Sequence, residues 1–184
     1  MLQIDNSALL VIDVQGKLAN LVHNSREVID RCAKMIQAMQ VMKIPILHVE
    51  HNPAGLGKTT PKLAELLVNS DFFEKITFST LGLLPFQKAL EALGRNQILI
   101  CGIEAHICIY QTAMELLENK YDVNLLLDAI SSQRLIDMEA ATQKLMLAGA
   151  QPSTVEMAVY ELLGTAKHPA FKDILHILKS NGSR

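Results

Sequence analysis

Residues 97–117 read QILICGIEAHICIYQTAMELL. Ile98-Leu99-Ile100-Cys101 is apolar throughout, which suits a strand covered on both faces rather than one with a wet side. Gly102 breaks the run, and Ile107 to Leu117 then follows helical spacing. The same unit recurs outward in both directions. Upstream, Ala8 to Ile12 is a buried strand ending at Asp13, and Pro45 to Val49 is another. Downstream, Val123 to Leu127 is a strand ending at Asp128.

Helical patterns fill the intervals. One follows Asn24, which with Glu27 offers a capping box, and Val28, Met35, Ile36 and Met39 recur along it. Pro61 opens a second helix, where a missing N–H costs nothing. Phe86 to Leu93 stops at Gly94, and Glu139 to Ala148 closes at Gly149. Two more run over Glu156–Leu163 and Ala170–Lys179. A short strand surrounds Lys75-Ile76-Thr77, and Pro152 to Val155 is an edge strand, where proline is tolerated. NPAGLGKTT, from Asn52 to Thr60, reads as a loop over one end of the sheet. The β-α-β-α rhythm predicts a doubly wound α/β fold around a parallel sheet, as one domain over residues 1–184.

Hydrophobic residues make up 49% of the 184 and charged residues 20%, and the formal net charge is −2. With no basic stripe or acidic tail, nucleic acid and anionic membrane surfaces are not expected partners. The apolar runs fall short of the ~18 residues that span a bilayer. MLQIDNSALLVIDVQ lacks the charged and apolar regions of a signal peptide. Cys32, Cys101 and Cys108 make no disulfide framework and fit a reducing compartment. A cytoplasmic enzyme is the expectation.

In open parallel sheets, ligands bind beyond the carboxyl ends of the strands. The polar residues there are Asp13 and Gln15, Glu50 and His51, Lys75, Glu104 with His106 and Cys108, and Asp128 with Ser131. Cys108 falls in the first turn of a helix, whose partial positive charge favours a thiolate. A free cysteine is equally at home as a small buried apolar group, the reading given to Cys32 and Cys101. Asp13 is either a base for the thiol or a loop anchor. Lys75 is either a cation for both or a solvated surface residue.

The segments LLVIDVQ, EKITFS and ILICGIEAHICIYQTAMELLENKYDVNLLLDAISS resemble the isochorismatase-like hydrolase superfamily, over about Asn6 to Ala150. The motif G-I-E-x-H-x-C is similar to that of its small cysteine hydrolases, the YcaC-type and isochorismatase-domain-containing proteins. The resemblance implies a three-layer fold with a six-stranded parallel sheet in order 3-2-1-4-5-6 and helices on both faces. It implies a catalytic triad of Asp13, Lys75 and Cys108, and a cis peptide between Ile103 and Glu104. That peptide aims the N–H groups of Glu104 and Cys108 at a developing oxyanion. Gln15, Glu50, His51, Phe78 and His106 are the expected substrate contacts. The implied reaction is cleavage of an amide- or imide-type C–N bond of a small molecule, through a thioester.

The nicotinamidase branch holds a metal with an Asp-x-His pair after the second strand. HVEHNPAGLG has none, so neither metal nor cofactor is expected here. His48 is expected in strand packing and Asp128 at the base of the DAISS loop. The alternatives are a metal-assisted nicotinamidase-like amidase and a non-catalytic oligomeric scaffold. A homo-oligomer is expected, and the helix bearing Phe171, Ile174, Leu175, Ile177 and Leu178 either docks on a partner or covers its own sheet.

Overall fold

The computed structural model describes residues 1–180. Its strands are β1 (Ser7–Ile12), β2 (Ile46–His51), β3 (Asp71–Lys75), β4 (Gln97–Ile103), β5 (Asp122–Ser131) and β6 (Gln151–Ser153). All pair in parallel, in the order β3-β2-β1-β4-β5-β6, as the resemblance implies. Every residue of β1 and β4 is buried, which is why these two uniformly apolar strands lie side by side at the centre.

Helices α1 (Ser25–Val41), α3 (Pro61–Leu66), α7 (Val155–Leu163) and α8 (Phe171–Lys179) cover one face. Leu9, Val11, Leu99 and Cys101 point to that side. Helices α4 (Leu84–Ala92), α5 (Tyr110–Glu118) and α6 (Leu135–Leu147) cover the other, against Ala8, Leu10, Ile98 and Ile100. Alternation along each strand sorts consecutive residues into two separate cores. Phe86 is fully buried in the second, where a side chain of its kind contributes about 2–3 kcal/mol. Ile174 of α8 is buried with the first core, and Phe171, Ile177 and Leu178 pack on it. This helix therefore packs on its own chain, against α1 and α7.

Register brings the strand ends to a common rim. Ile12 pairs with Gly102, and His51 with Lys75. Gly102 has φ +130, and a Cβ there would lie 2.0 Å from the Ile12 carbonyl oxygen, so only glycine lets β4 pass β1.

Several local readings differ from the structure. Helix α1 begins next to Asn24 as expected, but the Asn24 side chain makes no cap hydrogen bond. Asn24 is left-handed (φ 52), and its carbonyl accepts from Val28 N instead. The strand near Lys75 precedes that residue and ends on it, rather than surrounding it. Residues 52–60 include one helical turn, α2 (Pro53–Leu56). β5 does not end at Asp128 but runs to Ser131, across a register shift from Ile100–Leu125 to Gly102–Ile130. Asp128 accepts from Val155 N at 2.8 Å and meets Arg31 at 3.6 Å, so it anchors the start of α7, whose own N-cap is Thr154. Pro152 does lie in the edge strand, but Val155 already opens α7.

Candidate active site

Asp13 follows the last residue of β1 in a left-handed conformation (φ 53), which asparagine and aspartate tolerate better than bulkier residues. Its N–H donates to Val49 O and its carbonyl accepts from Gln15 N. Lys75 ends β3, and its ammonium donates to Asp13 Oδ2 at 2.7 Å and to Phe78 O at 3.1 Å. The two side chains are 4% and 0% exposed. Burial raises the proton affinity of Asp13 above the usual carboxylate range, outweighing the opposing pull of Lys75, Cys108 and His51. Oδ1 of Asp13 is buried with no hydrogen-bond partner.

Cys108 sits between β4 and α5, in a π-helical turn (Ala105–Ile109) rather than an α-helical first turn. Ile109 N donates to Glu104 O, five residues back. Such turns insert an extra residue and are frequent at functional sites. One ligand-type atom each from Asp13, His51 and Cys108 lie within 4.8 Å of one another. Asp13, Lys75 and Cys108, 62 and 33 positions apart in sequence, therefore meet.

The thiol is not the ready thiolate expected from a helix start. Burial first, and then the negative charge of Asp13, push it up to about 12, against the pull of Lys75. The resting sulfur is thus protonated. The Asp13 carboxyl, itself of raised proton affinity, lies beside it where it can exchange a proton with the sulfur. Cys32 and Cys101 are fully buried core residues, as expected.

The remaining site candidates divide. Ile103 is buried in the first core, and the Ile103–Glu104 peptide is cis. The Glu104 carboxylate accepts from Gln133 N and lies 3.8 Å from His106 Nε2. His106 is half-buried, with Nδ1 2.9 Å from Ser132 Oγ. Gln15 has both ends occupied: Nε2 donates to His51 O and Gly57 O, and Oε1 accepts from His51 N. It ties β2 to the loop. Glu50 Oε1 accepts from both the N–H and the hydroxyl of Thr59. The His48 side chain is buried on the same residue, with Nε2 2.7 Å from Thr59 Oγ1. His51 projects to the opposite face, toward Lys75 and Cys108, and its ring stacks on half-exposed Phe78 at 5.6 Å.

Glu50 and His51 thus point to opposite faces, and Glu50 is held by Thr59. They do not fit the metal pair of the nicotinamidase branch. Thr59 and Ser132 are the polar partners that sequence reasoning missed. Neither lies in a periodic segment, and each meets its partner only once the chain has folded back on itself.

A family model described as isochorismatase domain matches residues 7–157. Isochorismatase domain-containing protein 2B of Mus musculus is 35% identical over 176 residues, covering 95% of this chain and 82% of the mouse protein. The MAR1 ribonuclease structure from Caenorhabditis elegans superposes with a TM-score of 0.93 at 33% identity, covering 100% of this chain and 94% of that one. YcaC from Escherichia coli, described as an octameric hydrolase of unknown specificity, superposes with a TM-score of 0.87 at 20% identity, over 95% of this chain and 94% of that one. At that identity the likeness shows the fold.

Proposed function

The chain belongs to the isochorismatase-like hydrolase superfamily, and we propose that it cleaves a C–N bond of a small amide or imide with Cys108 as nucleophile. The supporting observation is the convergence of a thiol, a carboxylate with one unpartnered oxygen and an ammonium at one rim. Asp13 takes the thiol proton as the sulfur bonds to the carbonyl carbon. The carbonyl electron pair moves onto oxygen, held by the N–H groups of Glu104 and Cys108. Losing one such donor typically costs ~10²–10³ in rate. The C–N bond then breaks, and Asp13 returns the proton to the leaving nitrogen. Water, deprotonated by Asp13, attacks the thioester, the acid leaves, and the thiol is restored. Lys75, bonded to Oδ2, keeps Asp13 oriented throughout.

His51, Phe78 and His106 border the substrate side of this arrangement, whereas Gln15 and Glu50 act through the backbone they hold. We place the protein in the cytoplasm as a homo-oligomer. Phe78, Leu135 and Ile136 are large apolar side chains exposed near the carboxyl end of the sheet, where a like subunit would cover them. No helix among the described residues is long and apolar enough to cross a membrane.

A screen of small amides and imides against wild type and Cys108→Ala tests the reaction. Turnover in wild type and its loss in Cys108→Ala are expected, and turnover retained without the sulfur rules out thiol catalysis. Iodoacetamide labels Cys108 ahead of core Cys32 and Cys101, with a rate that climbs into the alkaline range because the thiol is held near 12. Equal, slow labelling of all three favours a scaffold. RNA cleavage, the activity named for the nematode neighbour, is a separate arm of the screen. A net charge of −2 gives no general excess of cations to hold phosphates.

A further inference from the structure

Among the described residues, four buried side-chain atoms lack a hydrogen-bond partner, and two of them are Asp13 Oδ1 and His51 Nδ1. Both belong to the trio that gathers around Cys108, and Asp13 is 97% buried. We propose that Asp13, His51 and Cys108 form a binding site for a zinc-class divalent cation, whose occupancy withdraws the nucleophile from use. The effect on turnover rests on the thiol-hydrolase reading, but the binding does not.

The donor set selects the ion. Thiolate and imidazole favour zinc and its late-transition neighbours over magnesium and calcium. Three protein ligands from separate segments leave the fourth tetrahedral position to water or a substrate oxygen. Metal–ligand distances of ~2.0–2.3 Å put tetrahedral ligand atoms about 3.3–3.7 Å apart. A trio already within 4.8 Å must therefore close by about 1.5 Å at most. Lys75 occupies Oδ2 of Asp13, which leaves Oδ1 for the metal. The His51 backbone is clamped by Gln15 and its ring rests on Phe78, so the imidazole is held while its Nδ1 stays unused. His48, on the other face, is engaged with Thr59. On binding, the S–H bond breaks, a Zn–S bond forms and the proton leaves to solvent. Nothing is oxidised or reduced.

Titration of the 184-residue chain with cobalt(II) alone tests the site without substrate. Wild type is expected to develop thiolate-to-cobalt charge-transfer absorption that saturates at one equivalent and is displaced by zinc but not by magnesium. Cys108→Ala removes the band, and His51→Ala weakens binding at least tenfold, with His51→Gln as a second variant and circular dichroism to confirm folding. Zinc also protects wild-type Cys108 from iodoacetamide, and His51→Ala needs at least tenfold more zinc for the same protection relative to its own metal-free rate. Equal binding by wild type and both His51 variants, or a band surviving in Cys108→Ala, overturns the proposal. Neither result touches the amide-hydrolysis screen, and a failed screen leaves the cobalt result standing.

Discussion

The two faces of β2 end in opposite polar arrangements. On the α1 side, His48 and Glu50 close on Thr59. The Thr59 hydroxyl donates to Glu50 Oε1 and so accepts from His48 Nε2–H, which places the proton on that nitrogen. On the α4–α6 side, His51 faces Lys75 and Cys108, and both its Nδ1 and the neighbouring Asp13 Oδ1 go without partners. One strand thus carries a closed network that fastens a loop and, one residue on, an open one that keeps bonding capacity for a ligand. The closed network satisfies its buried polar atoms within the protein, whereas the open one does so only in part, through the bonds of Lys75 to Asp13 and Phe78.

The contrast breaks or sharpens in four measurements. The largest effect is expected from Asp13→Ala, which leaves the Lys75 ammonium buried without a charge partner. It should cost about 3–5 kcal/mol in urea denaturation, whereas Asp13→Leu combined with Lys75→Met should stay within about 1 kcal/mol of wild type. A double variant as unstable as the single one would make the pair structural and erase the contrast.

Next comes acid titration of the closed face. Burial lowers the His48 pKa from 6.5 to about 4, despite the opposing charge of Glu50. The unfolded chain binds the proton first, so this stability is present above pH 6.5 and is lost as pH falls toward 4. It amounts to about 3 kcal/mol, and His48→Gln should flatten that part of the stability–pH curve.

Thr59→Val removes the hydroxyl shared by His48 and Glu50. It should cost about 1–3 kcal/mol while leaving the iodoacetamide rate of Cys108 within twofold. The smallest stability change belongs to His51→Ala, about 0.5–1 kcal/mol for one partly exposed ring stack. Its effect should appear in cobalt binding instead. A large loss of stability there would mean that the open face is closed by a contact at His51.

The central strands were legible because β1 and β4 are apolar along almost their whole length, a pattern suited to a doubly covered sheet. The end of β5 was not, because a charge at Asp128 looks like a strand terminus unless the N–H of Val155 and the guanidinium of Arg31 are known to meet it. The positions of Asp13, Lys75 and Cys108 followed from motif order, and their proximity followed from register. The state of the sulfur did not follow: helix polarity suggested a thiolate, and burial decides for the thiol. A π turn adds one residue to a helical repeat, which apolar spacing around Cys108 does not reveal. Thr59 lies in a glycine-rich loop, and nothing local in that stretch marks which hydroxyl will be enclosed.

Lys75 comes from the outermost strand, where Asp71, Phe72 and Glu74 are open to water. Such edges fray first. Peeling of β3 would separate the ammonium from its carboxylate while the central strands stayed intact, so on the proposed reaction warming should end turnover before the fold melts. The working temperature of that reaction would then be limited by the grip of a five-residue ribbon rather than by the strength of the core.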